Sequence, residues 1–333
     1  MIALDANGAD NGPATVAEGG KLSGSEVTLF GPAAELAAFE NVVDAPVAIG
    51  NHEEPVLAVR SKPESSIVQA IRAVAAGDAD AAVSAGPTGA ALAASVLHLK
   101  RLHGVHRPGV AVIVPVPGSP TLMVDVGANV EVRPEHLVQF AYMGSAFMEA
   151  VHGVARPRVG LLSIGEEANK GTPDVVAAHE RLAAAQASSI NFIGNVEGTD
   201  ITSGAADVIV TDGFTGNVAL KLMEGTAKTV VAAVREAVRS STVSTLGGLL
   251  IRGSVGTLRR ELDPNTTGGA ILLGVRGIVV IAHGGSSAEG IANAVKVAQR
   301  AVDERMIERT AAALEAGGAL RSAPTATVAP IDE

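Results

Sequence analysis

The chain has 333 residues, a formal net charge of −10, no cysteine and no tryptophan, and aromatic residues make up 2% of it. The missing thiols exclude disulfides, thiolate metal sites and a cysteine nucleophile. The acidic field and the scarcity of aromatic stacking platforms argue against nucleic acid as a partner.

With 47% hydrophobic residues the chain reads as globular, with a core built from Ala, Val, Leu and Ile. Ile2 to Leu4 reads as a strand directly after Met1. No signal peptide or membrane span is read, so the cytoplasm is the expected compartment. Ile67, Ile71, Val74 and Ala75 share a helix face, with Ser65 or Ser66 as its cap and Gly77 as its stop. Short apolar runs at 79–84, 110–116 and 121–126 read as strands. A helix opened by Pro134 runs toward Val151, and further strands follow at 158–164, 190–193 and 207–211. Several runs are apolar at nearly every position, as in strands covered on both faces. Residues 215–239 read as a long helix, 278–282 as the last strand and 286–309 as one more helix. Between them, 240–263 reads as a protruding helical hairpin. It carries Leu246, Leu249, Leu250 and Ile251 beside Arg252, Arg259 and Arg260. This apolar and basic mixture suits an anionic membrane surface or a partner subunit. Ala, Pro and Thr dominate after Gly317 and predict a disordered tail over 317–333, leaving one domain over 1–316. The alternation of elements predicts an α/β fold, a three-layer α/β/α sandwich with a mostly parallel, Rossmann-like sheet.

Six of these strands run into polar, glycine-bearing loops, at 84–89, 125–129, 165–171, 194–198, 211–217 and 282–287. Ligands of open parallel sheets bind outside the carboxyl ends of the strands, so the six are expected on one edge, lining a polar pocket. Helices starting near Gly89, Gly216 and Ser286 would offer free N–H groups to an anion such as phosphate. Ser84, Thr88, Asn129, Asn195, Gly216, Gly284 and Gly285 are the candidate substrate- and phosphate-binding residues. Lys170, between Gly165 and Gly171, is either a solvated lysine or a charge contact to phosphate or oxyanion. His283 is either a satisfied core-edge histidine or a proton-transfer group. Asn195 and Asn217 either donate to an oxyanion or cap turns. Asp5, Asp125 and Asp212 either cap helices or hold pocket side chains. There is no Walker pattern, no dinucleotide fingerprint and no clustered metal-ligand spacing, so no cofactor and no metal are expected.

Specific stretches carry a resemblance. They are Leu122-Met-Val-Asp-Val-Gly-Ala-Asn129, Arg158-Val-Gly-Leu-Leu-Ser-Ile-Gly-Glu-Glu167 with Lys170-Gly171, Ile190-Asn-Phe-Ile-Gly-Asn-Val-Glu-Gly198, Asp212-Gly-Phe-Thr-Gly-Asn-Val-Ala-Leu-Lys221, and Gly268-Gly-Ala with Leu272-Leu-Gly-Val275. Together they resemble the phosphate acyltransferase family from about Ile2 to Arg300. The opening departs from the family's Asp-Ala-Met-Gly-Gly-Asp-His, reading Asp5-Ala-Asn-Gly-Ala-Asp-Asn11, and Pro87 stands where the family has Asn. The resemblance implies a phosphotransacetylase- and isopropylmalate dehydrogenase-like fold in a homodimer that contacts the membrane peripherally. It also implies transfer of a fatty acyl group from acyl carrier protein (ACP) to inorganic phosphate for phospholipid synthesis. Lys170, His283 and Asn217 are then the candidate catalytic residues. An enzyme using acyl-CoA, a non-catalytic carrier-protein or membrane scaffold, and an NAD-dependent dehydrogenase are the alternatives, the last lacking both a metal cluster and a cofactor fingerprint.

Overall fold

The computed structural model describes residues 1–114, 119–185, 189–247, 253, 256 and 266–321. Eleven strands form its sheet: β1 (Ile2–Asp5), β2 (Val27–Gly31), β3 (Val42–Asp44), β4 (Ala81–Ser84), β5 (Gly109–Val114), β6 (Thr121–Val124), β7 (Arg158–Leu162), β8 (Asn191–Val196), β9 (Val208–Val210), β10 (Ala270–Leu273) and β11 (Ile278–Ile281). The main helices are α1 (Gly12–Ser23), α2 (Pro55–Ser61), α3 (Ser66–Ala76), α4 (Thr88–His98), α5 (Pro134–His152), α6 (Pro173–Ala185), α7 (Gly213–Arg239), α8 (Ala288–Asp303) and α9 (Met306–Ala316).

Side chains alternate across each strand. Ala81 and Val83, Leu122 and Val124, Val208 and Val210, and Ile278 and Val280 enter one core, with Val16 of α1, Phe140 of α5, Leu182 of α6 and Val295 of α8. Ala82, Met123, Ile209 and Val279 enter the other, with Ile67 of α3, Ala91 of α4 and Leu220 of α7. Both faces are covered, and this is the three-layer α/β/α sandwich that the sequence predicts.

Three strands escape the sequence reading. β2 lies in a stretch without a clear pattern, β3 is a three-residue edge strand, and β10 follows two glycines. The helix expected over 286–309 is two helices. Arg305 takes the left-handed conformation at φ 51°, so the chain breaks after α8 and α9 packs on α5.

The strand order is β3-β2-β1-β4-β11-β10-β5-β6-β9-β7-β8. β10 runs antiparallel to β11 and to β5, and β5 runs antiparallel to β6; the other pairings are parallel. Three reversals in succession turn β6-β9-β7-β8 against β3-β2-β1-β4-β11. The carboxyl ends of β1, β4 and β11 therefore lie on one edge of the sheet, and those of β6, β7, β8 and β9 on the opposite edge. The expectation of six loops on a single edge is corrected. Strand direction is not visible in an apolar run, and the unrecognised β10 is one of the strands that reverses it.

The described part of the C-terminal segment packs on the body. A Cβ on Gly317 would fall 2.2 Å from the Tyr142 ring, so the chain passes there only as glycine. The buried Gln139 amide donates to Ala319 O at 2.8 Å and to Gly104 O at 2.9 Å. Arg321 N–H also donates to Gly104 O, at 2.9 Å. Residues 322–333 lie outside the described residues. So do Leu249, Leu250, Ile251, Arg252, Arg259 and Arg260 of the expected hairpin; Leu246 is described and exposed. α7 leaves the body as it runs, and its only buried residues are Gly213 and Gly216.

Arg158 ties the start of β7 to the start of β9. Its backbone N–H, Nε and Nη2 donate to the Asp207 carboxylate at 2.7, 3.1 and 2.8 Å, and Nη2 also donates to Gly204 O. Burial works against the charged Asp207, but the hydrogen bonds from Arg158 outweigh it and hold its pKa below the ordinary carboxylate range. A carboxylate depressed in the folded state adds stability above its unfolded pKa, and that stability is lost as pH falls through the folded pKa. Asp207→Asn should lower the melting temperature at neutral pH, by an amount equivalent to about 1 kcal/mol for a partly exposed pair. The gap between variant and parent should close on acidification. Thermal melts across an acid series check this; a gap that stays constant would assign the link to neutral hydrogen bonding.

Candidate active site

The first edge is built where β1, β4 and β11 end side by side. Asp5 is buried there. Ser84 Oγ donates to Asp5 Oδ2 at 2.6 Å, and Asn7 N–H donates to Oδ1 at 3.2 Å. Burial pushes the Asp5 pKa above the ordinary carboxylate range, against the lowering effect of the Ser66 and Ser84 hydroxyls and the Asn7 N–H. Ser84 Oγ also accepts from Gly86 N–H at 3.0 Å, so Ser84 is engaged on both sides. The first and second loops touch, since a Cβ on Gly8 would lie 3.1 Å from Gly86 Cα. The third loop is stapled to the first. Asp10 N–H donates to Gly284 O at 2.9 Å, and the Asn11 amide donates to Gly285 O at 3.1 Å and Ser286 O at 3.0 Å. Asn11 thus closes this edge, a role that the departing opening motif does not announce.

Four helices, α1, α3, α4 and α8, begin on this edge. α8 is capped by Ser287, whose Oγ accepts from Gly290 N–H. α4 has Pro87 at its N-cap and no side-chain cap; Ala90 and Ala91 N–H donate to Pro87 O at 3.0 and 3.1 Å, which leaves the Thr88 and Gly89 N–H groups without an acceptor among the described residues. Thr88 opens α4 and is exposed. Ser65, fully buried at the N-cap of α3, has an Oγ without a partner among the described residues. His283 is exposed, and its Nδ1 accepts from Gly285 N–H at 3.1 Å. In the neutral ring the proton is therefore on Nε2. Of the predicted set, Ser84, Thr88, His283, Gly284 and Gly285 gather here. The Thr88 hydroxyl and His283 Nε2, with the Thr88 and Gly89 N–H groups of α4, are its uncommitted donors among the described residues.

The second edge is organised by Asp125, which is also buried. Its carboxylate accepts from the N–H groups of Val110 (3.1 Å), Gly127 (3.1 Å), Ala128 (2.9 Å) and Asn129 (2.7 Å), and from Asn129 Nδ2 (2.8 Å). Burial still lifts its pKa above the usual carboxylate range. Asn129 Nδ2 donates as well to Pro108 O at 2.7 Å. α7 is driven into this loop. Gly213 N–H donates to Asn129 O at 2.7 Å, and a Cβ on Gly216 would fall 2.0 Å from Asp125 O. Asp212 caps α7, its Oδ1 accepting from Thr215 N–H at 2.8 Å. Gly216 thus allows a close approach of backbone to backbone. Asn217, one residue on, is exposed.

Further along the same edge, buried Asn195 donates to Glu167 O at 2.8 Å and to Lys170 O at 3.4 Å, and its Oδ1 lies 2.9 Å from His179 Nδ1. Ser163 Oγ donates to Lys170 O at 2.9 Å. The loop backbone is held from two sides, while the Lys170 side chain is exposed and has no ion-pair partner among the described residues. The amide hydrogens of Asn129 and Asn195 are thus spent on positioning loops, and of the predicted residues on this edge Lys170 and Asn217 are the exposed polar ones. Among the described residues no group of three or more His, Cys, Asp and Glu could hold a metal ion, and no helix is long and apolar enough to cross a membrane.

Gly216→Ala should destabilise the fold by about 1–3 kcal/mol or more, because neither backbone segment can yield. Gly225→Ala, in the same helix with nothing within 4 Å, should instead stabilise by roughly 0.5–1 kcal/mol. Chemical denaturation of both variants checks the pair; equal effects would remove the contact as the cause.

A family model described as "fatty acid synthesis protein" matches residues 1–309. The "phosphate acyltransferase" of Desulforudis audaxviator (strain MP104C) is 42% identical over 316 residues, covering 92% of this chain and 93% of its own. In fold, the chain is similar to a phosphotransacetylase from Streptococcus pyogenes, with a TM-score of 0.59 at 16% identity. It is also similar to the EutD phosphotransacetylase from Staphylococcus aureus, with a TM-score of 0.55 at 18% identity. Each alignment covers 91% of this chain and 94% of the other.

Proposed function

Because this chain belongs to the phosphate acyltransferase family, we propose that it transfers a fatty acyl group from ACP to inorganic phosphate, yielding acyl-phosphate for phospholipid synthesis. A phosphate oxygen attacks the thioester carbonyl carbon, the C–S bond breaks, and the carrier leaves as a thiolate that takes up a proton. Phosphate is already a nucleophile, so no activated serine or cysteine is required. The protein has to strip water from the dianion, aim it, and stabilise the tetrahedral oxyanion.

The observation that carries this reading is the set of uncommitted donors on the first edge. The uncapped start of α4 and the Thr88 hydroxyl suit a phosphate dianion. His283, its ring held by Gly285 N–H, offers Nε2–H to the phosphate or the oxyanion. Lys170 and Asn217 stand on the opposite edge and supply charge and an amide from there. In our reading the enzyme is a homodimer in which the second edge of one subunit meets the first edge of the other. The apolar side of α7 supports this: Val230, Val231 and Val234 are exposed on the helix whose second turn opens with Asn217. Exposed Val243 and Leu246 beyond α7 support peripheral contact with an anionic membrane at the cytoplasmic face.

Release of ACP thiol from acyl-ACP and phosphate, compared with CoA release from acyl-CoA, tests the donor. Lys170→Ala and His283→Ala should each lower kcat/KM by at least ~30-fold, the equivalent of about 2 kcal/mol. Mixing the two variants under subunit exchange should restore up to about a quarter of parental activity, since one intact site forms in each mixed dimer. Strong loss in each variant with no recovery on mixing would place the chemistry within one subunit. Near-normal turnover of a folded Lys170→Ala would remove Lys170 from it.

A further inference from the structure

We propose that the exposed cationic cluster around His106 and His136 is the docking surface for the acidic carrier protein that delivers the acyl group. This rests on the reading of the donor as acyl-ACP and adds the face on which it lands.

The cluster begins in the sequence. The chain holds 35 acidic and 25 basic residues, yet none of the acidic ones lies between Asp80 and Asp125. Lys100, Arg101 and Arg107 all fall in that window.

The fold then gathers more cations around this loop and holds it rigid. Arg276, from the turn between β10 and β11, donates its N–H to Lys100 O at 3.1 Å and its Nε to Arg101 O at 3.1 Å. The Arg101 guanidinium donates to His106 O. His106 N–H donates to the buried Gln139 Oε1 at 2.8 Å, and the backbone of Arg321 is tied to Gly104. Arg133, at the start of α5, completes the group beside His136, whose ring lies 5.7 Å from that of His106. Lys100, Arg101, Arg107, Arg133, Arg276 and Arg321 are all exposed.

None of these six has an ion-pair partner among the described residues, whereas Lys62, Arg158, Arg181, Lys221, Arg305 and Arg309 are each paired. The neighbouring acid Glu135 is turned to Arg181 at 3.6 Å. The cations act on one another's surroundings. Burial first, and then Arg321, Arg101 and Arg133, lower the pKa of His106 despite Glu135. Burial and His106 first, then Arg107 and Arg133, do the same for His136. Like charges held together without counter-charge cost folding energy and return none to it, whereas a complementary acidic patch would use them for steering and register.

Two further features select the occupant. The cluster abuts the second edge, since Pro108, next to Arg107, accepts from the Asn129 side chain. Among 100–107, 130–136, 274–276 and 319–321 the one exposed large apolar residue is Val130, too little for insertion into a bilayer, and there is no aromatic platform for bases. A small acidic protein can meet this patch alone, whereas a long polyanion would run onto the acidic remainder of the surface.

Arg107→Glu with Arg321→Glu tests the assignment, since these two side chains make no hydrogen bond among the described residues. The KM for acyl-ACP should rise about tenfold or more with KM for phosphate unchanged, and the salt dependence of the parental KM should flatten. Lys21→Glu with Lys296→Glu, the same charge change on α1 and α8, should leave KM for acyl-ACP unchanged. Anisotropy titration of labelled ACP gives a second readout that does not depend on turnover. Parental affinity and KM in the folded cluster variant would overturn the assignment. So would an equal loss in the control pair, or a loss confined to binding of anionic vesicles or RNA. A parent that turns over acyl-CoA and ignores acyl-ACP would instead overturn the donor reading, which separates the two failures.

Discussion

Three consecutive antiparallel pairings, β11 with β10, β10 with β5 and β5 with β6, decide where every loop of this molecule can go. A sheet of parallel βαβ units sends all its strand-to-helix loops to one edge, because each crossover returns the chain to the same starting side. Here the chain reverses in the middle of the sheet. Loops of the same composition, each after an apolar strand, are thereby divided between two edges. The division is a matter of topology, and no side-chain rearrangement can undo it within one sheet.

Each edge then solves the same physical problem. A carboxylate is taken out of water at the end of a strand: Asp5 at the end of β1 and Asp125 directly after β6. Burying such a group is costly unless hydrogen bonds surround it. Asp5 gathers the Ser84 hydroxyl and the Asn7 N–H, and Asp125 gathers five N–H groups. In both cases burial prevails and the pKa rises, so the hydrogen bonds act mainly as geometric ties. They lock the loops from which the exposed groups are presented. On the first edge this leaves the Thr88 hydroxyl, His283 Nε2 and the Thr88 and Gly89 N–H groups of α4 unengaged among the described residues. On the second the same locking consumes the amides of Asn129 and Asn195, and α7 carries its own aspartate cap.

Much of this architecture was legible in the sequence, and the parts that were not share one cause. Near-continuous apolar strands, the caps around Ser65 and Gly77, and Pro134 at a helix start are local signals, and they located β4 to β9, β11, α3 and α5 to within a few residues. The break at Arg305 was hidden because a left-handed arginine has no sequence signature. The reversal through β10 was hidden because strand direction depends on partners far away in the chain. Gly216 drew attention as a residue at the start of a helix. What makes it glycine is the carbonyl of Asp125, 91 positions earlier, which only the folded chain brings near. Asn129 and Asn195 were visible as amides, but whether an amide faces a ligand or its own loop is settled by packing.

The two substrates of the proposed reaction make different physical demands, and the surface is differentiated accordingly. Inorganic phosphate is small and strongly hydrated. It is held by a few N–H and O–H groups placed to within a fraction of an ångström, which a helix start fixed by loop-to-loop staples can supply. A carrier protein is large, and its recognition is spread over many weak contacts whose first task is steering. A chain with a net charge of −10 repels both at long range, so each needs a local exception. The exception for phosphate is built largely from neutral donors, backbone N–H groups, a hydroxyl and a ring N–H, with Lys170 supplying a full charge from the opposite edge. The exception for a protein partner needs full charges on the surface, and six cations without an ion-pair partner among the described residues, set around one stapled loop, are what the second edge provides.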